Sequence, residues 1–90
     1  MRIYIAEELS NSIKASDKKY FKSKAKGYDL FFSKKDRFSK KFSESKIVFG
    51  NIPPTMIEKS SELEWIQLES TGFSEYMYLE KPDKKIIITN

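Results

Sequence analysis

Lys46-Ile-Val-Phe-Gly50, Asn51-Ile-Pro-Pro-Thr-Met56, Leu63-Glu-Trp-Ile-Gln-Leu68, Ser70-Thr-Gly-Phe-Ser74 and Lys85-Ile-Ile-Ile-Thr-Asn90 follow one another through the C-terminal half of this chain. The first, third and fifth are short apolar, β-branched runs, which is the composition of strands. The second opens a helix: a proline in the first helical turn loses no hydrogen bond, because the N–H it lacks would have had no partner there. The fourth is a glycine-containing loop. Strands alternating with helices imply a parallel sheet. Near-continuous apolar runs such as Ile47-Val-Phe and Ile86-Ile-Ile suit strands covered on both faces. Sheets of this kind bind ligands beyond the carboxyl ends of their strands, where both loops fall.

Working outward, residues 2–6 (Arg-Ile-Tyr-Ile-Ala) read as a first strand. Glu7 and Glu8 suit the first turn of a helix, where carboxylates meet the positive end of its dipole. Leu9, Ile13 and Tyr20 or Phe21 form a sparse apolar stripe for a helix over 8–24, interrupted by Ser16 and Asp17 and stopped by Gly27. Residues 28–33 read as the second strand. Phe38 and Phe42 share one face of a short helix over 35–44. Strands over 46–50, 63–68 and 85–89, a helix over 54–60 and helical turns over 74–81 complete the chain. The expected fold is α/β, flavodoxin-like or Rossmann-like, in three layers. Its five-stranded parallel sheet has order 2-1-3-4-5, with helices on both faces.

Ninety residues fit a single domain, 1–90. A chain of this size buries roughly 60–65% of its unfolded surface. With no cysteine, neither a disulfide framework nor a thiolate zinc site is available; this is compatible with a cytoplasmic location. The N-terminus turns acidic too soon for a signal peptide. No apolar run approaches the ~18 residues of a membrane span. Residues 14–46 carry twelve basic and four acidic side chains, a local balance of +8 within a net charge of +4. A solvated lysine-rich face accounts for such a segment; so does a surface for nucleic acid or an acidic partner. Its aromatics (Tyr20, Phe21, Tyr28, Phe31, Phe32, Phe38, Phe42) are spaced for burial rather than for stacking on bases, which argues against nucleic acid. Trp65, mid-strand, reads as a core or interface packer.

Catalysis near neutral pH draws most often on histidine, and the chain has none. Its three glycines, Gly27, Gly50 and Gly72, are too far apart for a dinucleotide-binding G-x-G-x-x-G. No pair of acids is fixed across a cleft. Gly72 lets a backbone approach an anion closely, but a plain strand-to-helix turn needs the same residue. Asn51 serves equally as a partner for a ligand oxygen or as a cap for the proline-started helix.

Ile-Val-Phe-Gly-Asn-Ile-Pro-Pro, then Leu63-Glu-Trp-Ile-Gln-Leu68, Ser-Thr-Gly-Phe and Ile-Ile-Ile-Thr-Asn, in that order and spacing, resemble the N-terminal region of the D-isomer-specific 2-hydroxyacid dehydrogenases. The resemblance covers the whole chain in element order and about its last half in residues. It implies the substrate-binding half of an NAD- or NADP-dependent oxidoreductase. On that reading the loop at Thr71 and Gly72 offers backbone N–H groups to a substrate carboxylate, and the loop at Asn51 lines the same cleft. The family's catalytic Arg, Glu and His, and its nucleotide-binding domain, belong to later segments. A chain ending near Asn90 would be a truncated piece that binds no cofactor, is not catalytic by itself and takes a small 2-hydroxy or 2-keto acid weakly. Its partners would be the missing nucleotide-binding domain or a second copy, a homodimer formed over the bared sheet. The family often has an acid two residues beyond the glycine; here Ser74 stands there, which bears on how the loop is anchored. Two other readings remain: a stand-alone flavodoxin-like interaction module using its basic face, and a receiver-like signalling domain. The latter is disfavoured because the third strand ends in Phe49-Gly50 and not in an aspartate.

Overall fold

The computed structural model describes residues 1–69 and 86–89. Five strands, β1 (Arg2–Ile5), β2 (Asp29–Phe32), β3 (Ser45–Phe49), β4 (Trp65–Gln67) and β5 (Ile87–Thr89), form one sheet in the order β2-β1-β3-β4-β5. Every pairing is parallel. This is the flavodoxin-like α/β order expected from the alternation of runs. The helices among the described residues are α1 (Glu7–Ser12), α2 (Ala15–Lys24), α3 (Lys40–Ser43) and α4 (Pro54–Lys59). The expected helical turns over 74–81 lie outside the described residues.

The register separates the two faces. Ile3, Ile47, Trp65 and Ile87 stand side by side across the strands, and Tyr4, Val48, Ile66 and Ile88 form the next row. Neighbouring rows point to opposite faces. The Tyr4 row is the heart of the core. Val48 and Ile66 are fully buried, and Phe42 of α3, Met56 and Ile57 of α4, Ile52 and Leu63 close over them. The opposite face meets α1 and α2 less tightly. Ile3, Ile5, Leu30 and Phe32 look across an apolar hollow of about 420 Å³ to Leu9, Ile13 and Phe21. Farther along that face Trp65 lies edge-on to Phe49, and its Nε1–H donates to Thr89 Oγ1 at 2.9 Å. Ile87 remains 60% exposed.

Two elements differ from the sequence expectation. The helix expected over 8–24 is broken: Ile13 and Lys14 are extended (ψ 131° and 151°), separating α1 from α2. Between Ile13 and Phe21 the sequence offers little to bury, and α2 has no buried residue at all. Without a continuous apolar face, nothing holds one long helix against the sheet. Tyr20, Phe21, Tyr28 and Phe38 are accordingly exposed, against the expectation that the aromatics of this segment are buried. The helix expected over 35–44 shrinks to Lys40–Ser43, started by Ser39, whose Oγ accepts from Phe42 N–H. The residues before it are bonded elsewhere, at the mouth of the sheet.

Candidate functional site

The carboxyl ends of the strands gather the loops after β1, β2, β3 and β4. Between β1 and β3 the chain changes direction across the sheet, the place where open α/β sheets hold ligands. An open crevice there is lined by Glu7, Glu8, Asn11, Ser12, Asp36 and Asn51. Ala6 N–H donates to Phe49 O (2.9 Å) and Gly50 N–H to Gln67 O (2.8 Å), so the parallel ladder carries on past the strand ends. Gly50 has φ +108°, and its α-carbon lies so close to Ala6 that a Cβ would sit 2.7 Å from Ala6 Cβ. Only glycine turns the chain there at no cost.

Asn51 neither caps α4 nor stands apart in the crevice. The residue before α4 is Pro53, which makes no side-chain capping bond, and Pro54 fills the first helical position. Asn51 Oδ1 accepts instead from Glu69 N–H at 2.9 Å. The loop after β3 is thereby tied to the exit of β4, the strand that leads into Ser70-Thr71-Gly72. Thr71 and Gly72 themselves lie outside the described residues.

A second group is not picked out by the sequence reading. Asp36 Oδ1 accepts from Tyr4 Oη (2.9 Å) and from Glu7 N–H (3.0 Å), while Asp36 N–H donates to Glu7 Oε1 (2.7 Å). A phenol has one proton to give. With it committed to Asp36, Ser33 Oγ–H, also 2.9 Å from Tyr4 Oη, donates in return. Asp36 thus acts as the cap of α1 from another loop, in keeping with a carboxylate at a helix start. Glu7 and Glu8 stand in the first turn of that helix, as their position in the chain suggests. Tyr4, in the middle of an apolar strand, was the one available clue, since a buried tyrosine hydroxyl finds a partner.

Burial pushes the Tyr4 hydroxyl up from 10.0 to about 12; the Ser33 hydrogen bond opposes the rise and the Asp36 carboxylate adds to it. In the unfolded chain the phenol ionises first. Its contribution to stability is therefore constant below about pH 10 and declines as pH climbs toward 12, by about 1.4 kcal/mol per pH unit. Urea midpoints measured at several pH values above 9 should fall more steeply for the native chain than for Tyr4→Phe. Parallel slopes would rule Tyr4 out as the source.

The crevice carries Glu7, Glu8 and Asp36 on its β1 and β2 side and Asn51 on its β3 side. Glu69, at the β4 exit, is a further carboxylate, exposed to solvent. Among the described residues no three His, Cys, Asp or Glu side chains are grouped to hold a metal ion, and no helix is long and apolar enough to cross a membrane. Comparisons with protein-family models, with curated proteins and with solved structures each return no match.

Proposed function

We propose that these ninety residues form the substrate-side domain of a D-2-hydroxyacid dehydrogenase-like, NAD(P)-dependent oxidoreductase. The observation that carries the reading is the Asn51 Oδ1 to Glu69 N–H bond, which ties the loop after β3 to the residue that precedes Ser70-Thr71-Gly72 in the chain. The strand order is also the one the resemblance implies. In the full reaction a 2-hydroxy acid gives a hydride to the nicotinamide and a proton to a base, leaving a 2-keto acid. With no histidine and no dinucleotide fingerprint, this chain is assigned neither transfer. Its part is to hold the carboxylate by the backbone N–H groups of Thr71 and Gly72, with Asn51 as the strut that sets the β3 loop against the β4 exit.

Titration of the isotope-labelled chain with pyruvate, followed by amide NMR, tests this. Half-saturation on the order of 1–10 mM is expected, since half a cleft supplies few contacts. Shifts should concentrate on Gly50, Asn51, Glu69, Thr71 and Gly72, and Asn51→Ala should weaken them. Equal shifts with pyruvamide, which lacks the carboxylate, or shifts scattered over the lysines would refute the assignment.

A further inference from the structure

Positive charge collects at one edge of the sheet. The segment 14–46, with its excess of eight positive charges, folds into α2, β2 and α3, which surround β2. β2 ends the sheet, with β1 on one side and no strand among the described residues on the other. Asp29 N–H and Ser33 N–H donate inward, to the carbonyls of Met1 and Ile5. By the alternation of a strand, the peptide groups of Leu30 and Phe32 face outward, a row of donors and acceptors open to pairing.

Cations bracket that row on both faces. On the α2 face, Lys18 Nζ and Lys22 Nζ lie 5.5 and 5.7 Å from the centroid of the Phe32 ring. On the α3 face, Lys34, Lys35, Arg37 and Lys41 line a groove of about 390 Å³ beside Phe31 and Phe32. The one acid of the strand, Asp29, is taken up by Arg2, whose Nε donates to it at 2.8 Å. That hydrogen bond holds the Asp29 carboxyl below its ordinary range, and Lys41 and Lys22 add to the effect.

We propose that the β2 edge receives an extended acidic segment of a partner protein as an added strand. The partner's backbone pairs with Leu30 and Phe32. Its side chains, alternating between the two faces, meet Lys18 and Lys22 on one and Lys34, Arg37 and Lys41 on the other. The same lysines repel a second β2, so the edge is closed to self-pairing and open to a strand of opposite charge. A nucleic acid would satisfy the cations but not the peptide groups. The proposal stands independently of the dehydrogenase reading, whose cleft lies at the strand ends.

The probe is a fluorescent peptide of paired Glu and Val (Glu-Glu-Val-Val repeated), about eight residues long so that it overlaps the four-residue strand and presents glutamates to both faces. Its control has each Val replaced by Pro, with equal charge and no N–H at half of its positions. At about 50 mM salt, where screening is weak, the Glu-Val peptide should bind the whole chain and slow hydrogen exchange at the Leu30 and Phe32 amides. The Glu-Pro peptide should bind at least about tenfold more weakly. Lys22→Glu combined with Lys41→Glu should cost a similar factor, with far-UV circular dichroism reporting that the fold is kept. Equal binding of the Glu-Pro peptide, tighter binding of an oligothymidylate, or unchanged exchange at Leu30 and Phe32 would each overturn strand addition, the first two in favour of a general attraction for polyanions. No binding of either peptide would overturn it as well.

Discussion

Phe42→Ala is expected to lower the unfolding free energy by about 3–5 kcal/mol, the cost of emptying a fully enclosed phenylalanine site. Phe42 is completely buried. Its ring meets Tyr4 edge-on at 5.1 Å and Phe38 at 5.8 Å between centroids. It is also the only buried residue of α3, a helix of four residues. One turn has no stability of its own in water, so α3 exists because Phe42 anchors it. Against the ~5–10 kcal/mol that holds a small domain together, the loss is a large fraction. The cavity opens beneath Tyr4, so the Tyr4–Asp36–Glu7 bonds at the mouth of the sheet should loosen with it. Urea unfolding measures the cost, and hydrogen exchange at the Glu7 and Asp36 amides measures the loosening. Phe38→Ala removes a ring that is 44% exposed and should cost less than half as much. Equal midpoints for the two variants would mean that α3 is not held by Phe42.

The contrast between these two phenylalanines shows what was readable in the sequence and what was not. Their spacing of four places them on one helical face, and that is all a period can say. Which one is enclosed depends on Tyr4, thirty-eight residues from Phe42 in the chain. The sheet was legible for the opposite reason. Ile47-Val-Phe, Trp65-Ile-Gln and Ile86-Ile-Ile are local runs, and the intervening prolines and glycines punctuate them. The break at Ile13–Lys14 was half visible, as the polar interruption at Ser16 and Asp17. The shortening of α3 was not, because it follows from Asp36 being engaged by Glu7 and Tyr4, 29 and 32 residues away. Asn51 had two plausible local roles. A non-local one, the Glu69 amide, won over the cap, since Pro53 and Pro54 already start α4 without it.

Two edges of one sheet therefore carry different chemistry for a structural reason. Parallel strands end together, so their exits share a crevice whose β3 side is assembled by Gly50 and Asn51. The strand that ends the sheet exposes its peptide groups sideways, and there the lysines of α2 and of the α3 approach lie. The first is the place proposed for a small 2-keto acid, the second the place proposed for an extended acidic chain. The two places adjoin: Asp36 lines the crevice, and its neighbours Lys35 and Arg37 line the groove beside β2.

Gly50→Ala tests the first edge most sharply and should cost about 3–4 kcal/mol. Two terms combine. A φ of +108° is a conformation that a residue with a Cβ occupies at about 1–3 kcal/mol. Overpacking against a buried neighbour adds about 1–3 kcal/mol, since the new methyl carbon would stand 2.7 Å from Ala6 Cβ, which is wholly enclosed. The two are separable. Ala6→Gly in the Gly50→Ala background removes the contact but leaves the dihedral, so a double-mutant cycle should recover about 1–2 kcal/mol and no more. Full recovery would assign the whole cost to crowding, and none would assign it to the backbone. The chain can relieve both strains only by moving the β3 exit, which shifts Asn51 away from the Glu69 amide. The Glu69 resonance should then move before any ligand is added, and pyruvate should no longer perturb Asn51 and Glu69 together. A Gly50→Ala chain as stable as the native one, with Glu69 unmoved, would mean that the β3 exit is not pinned against β1.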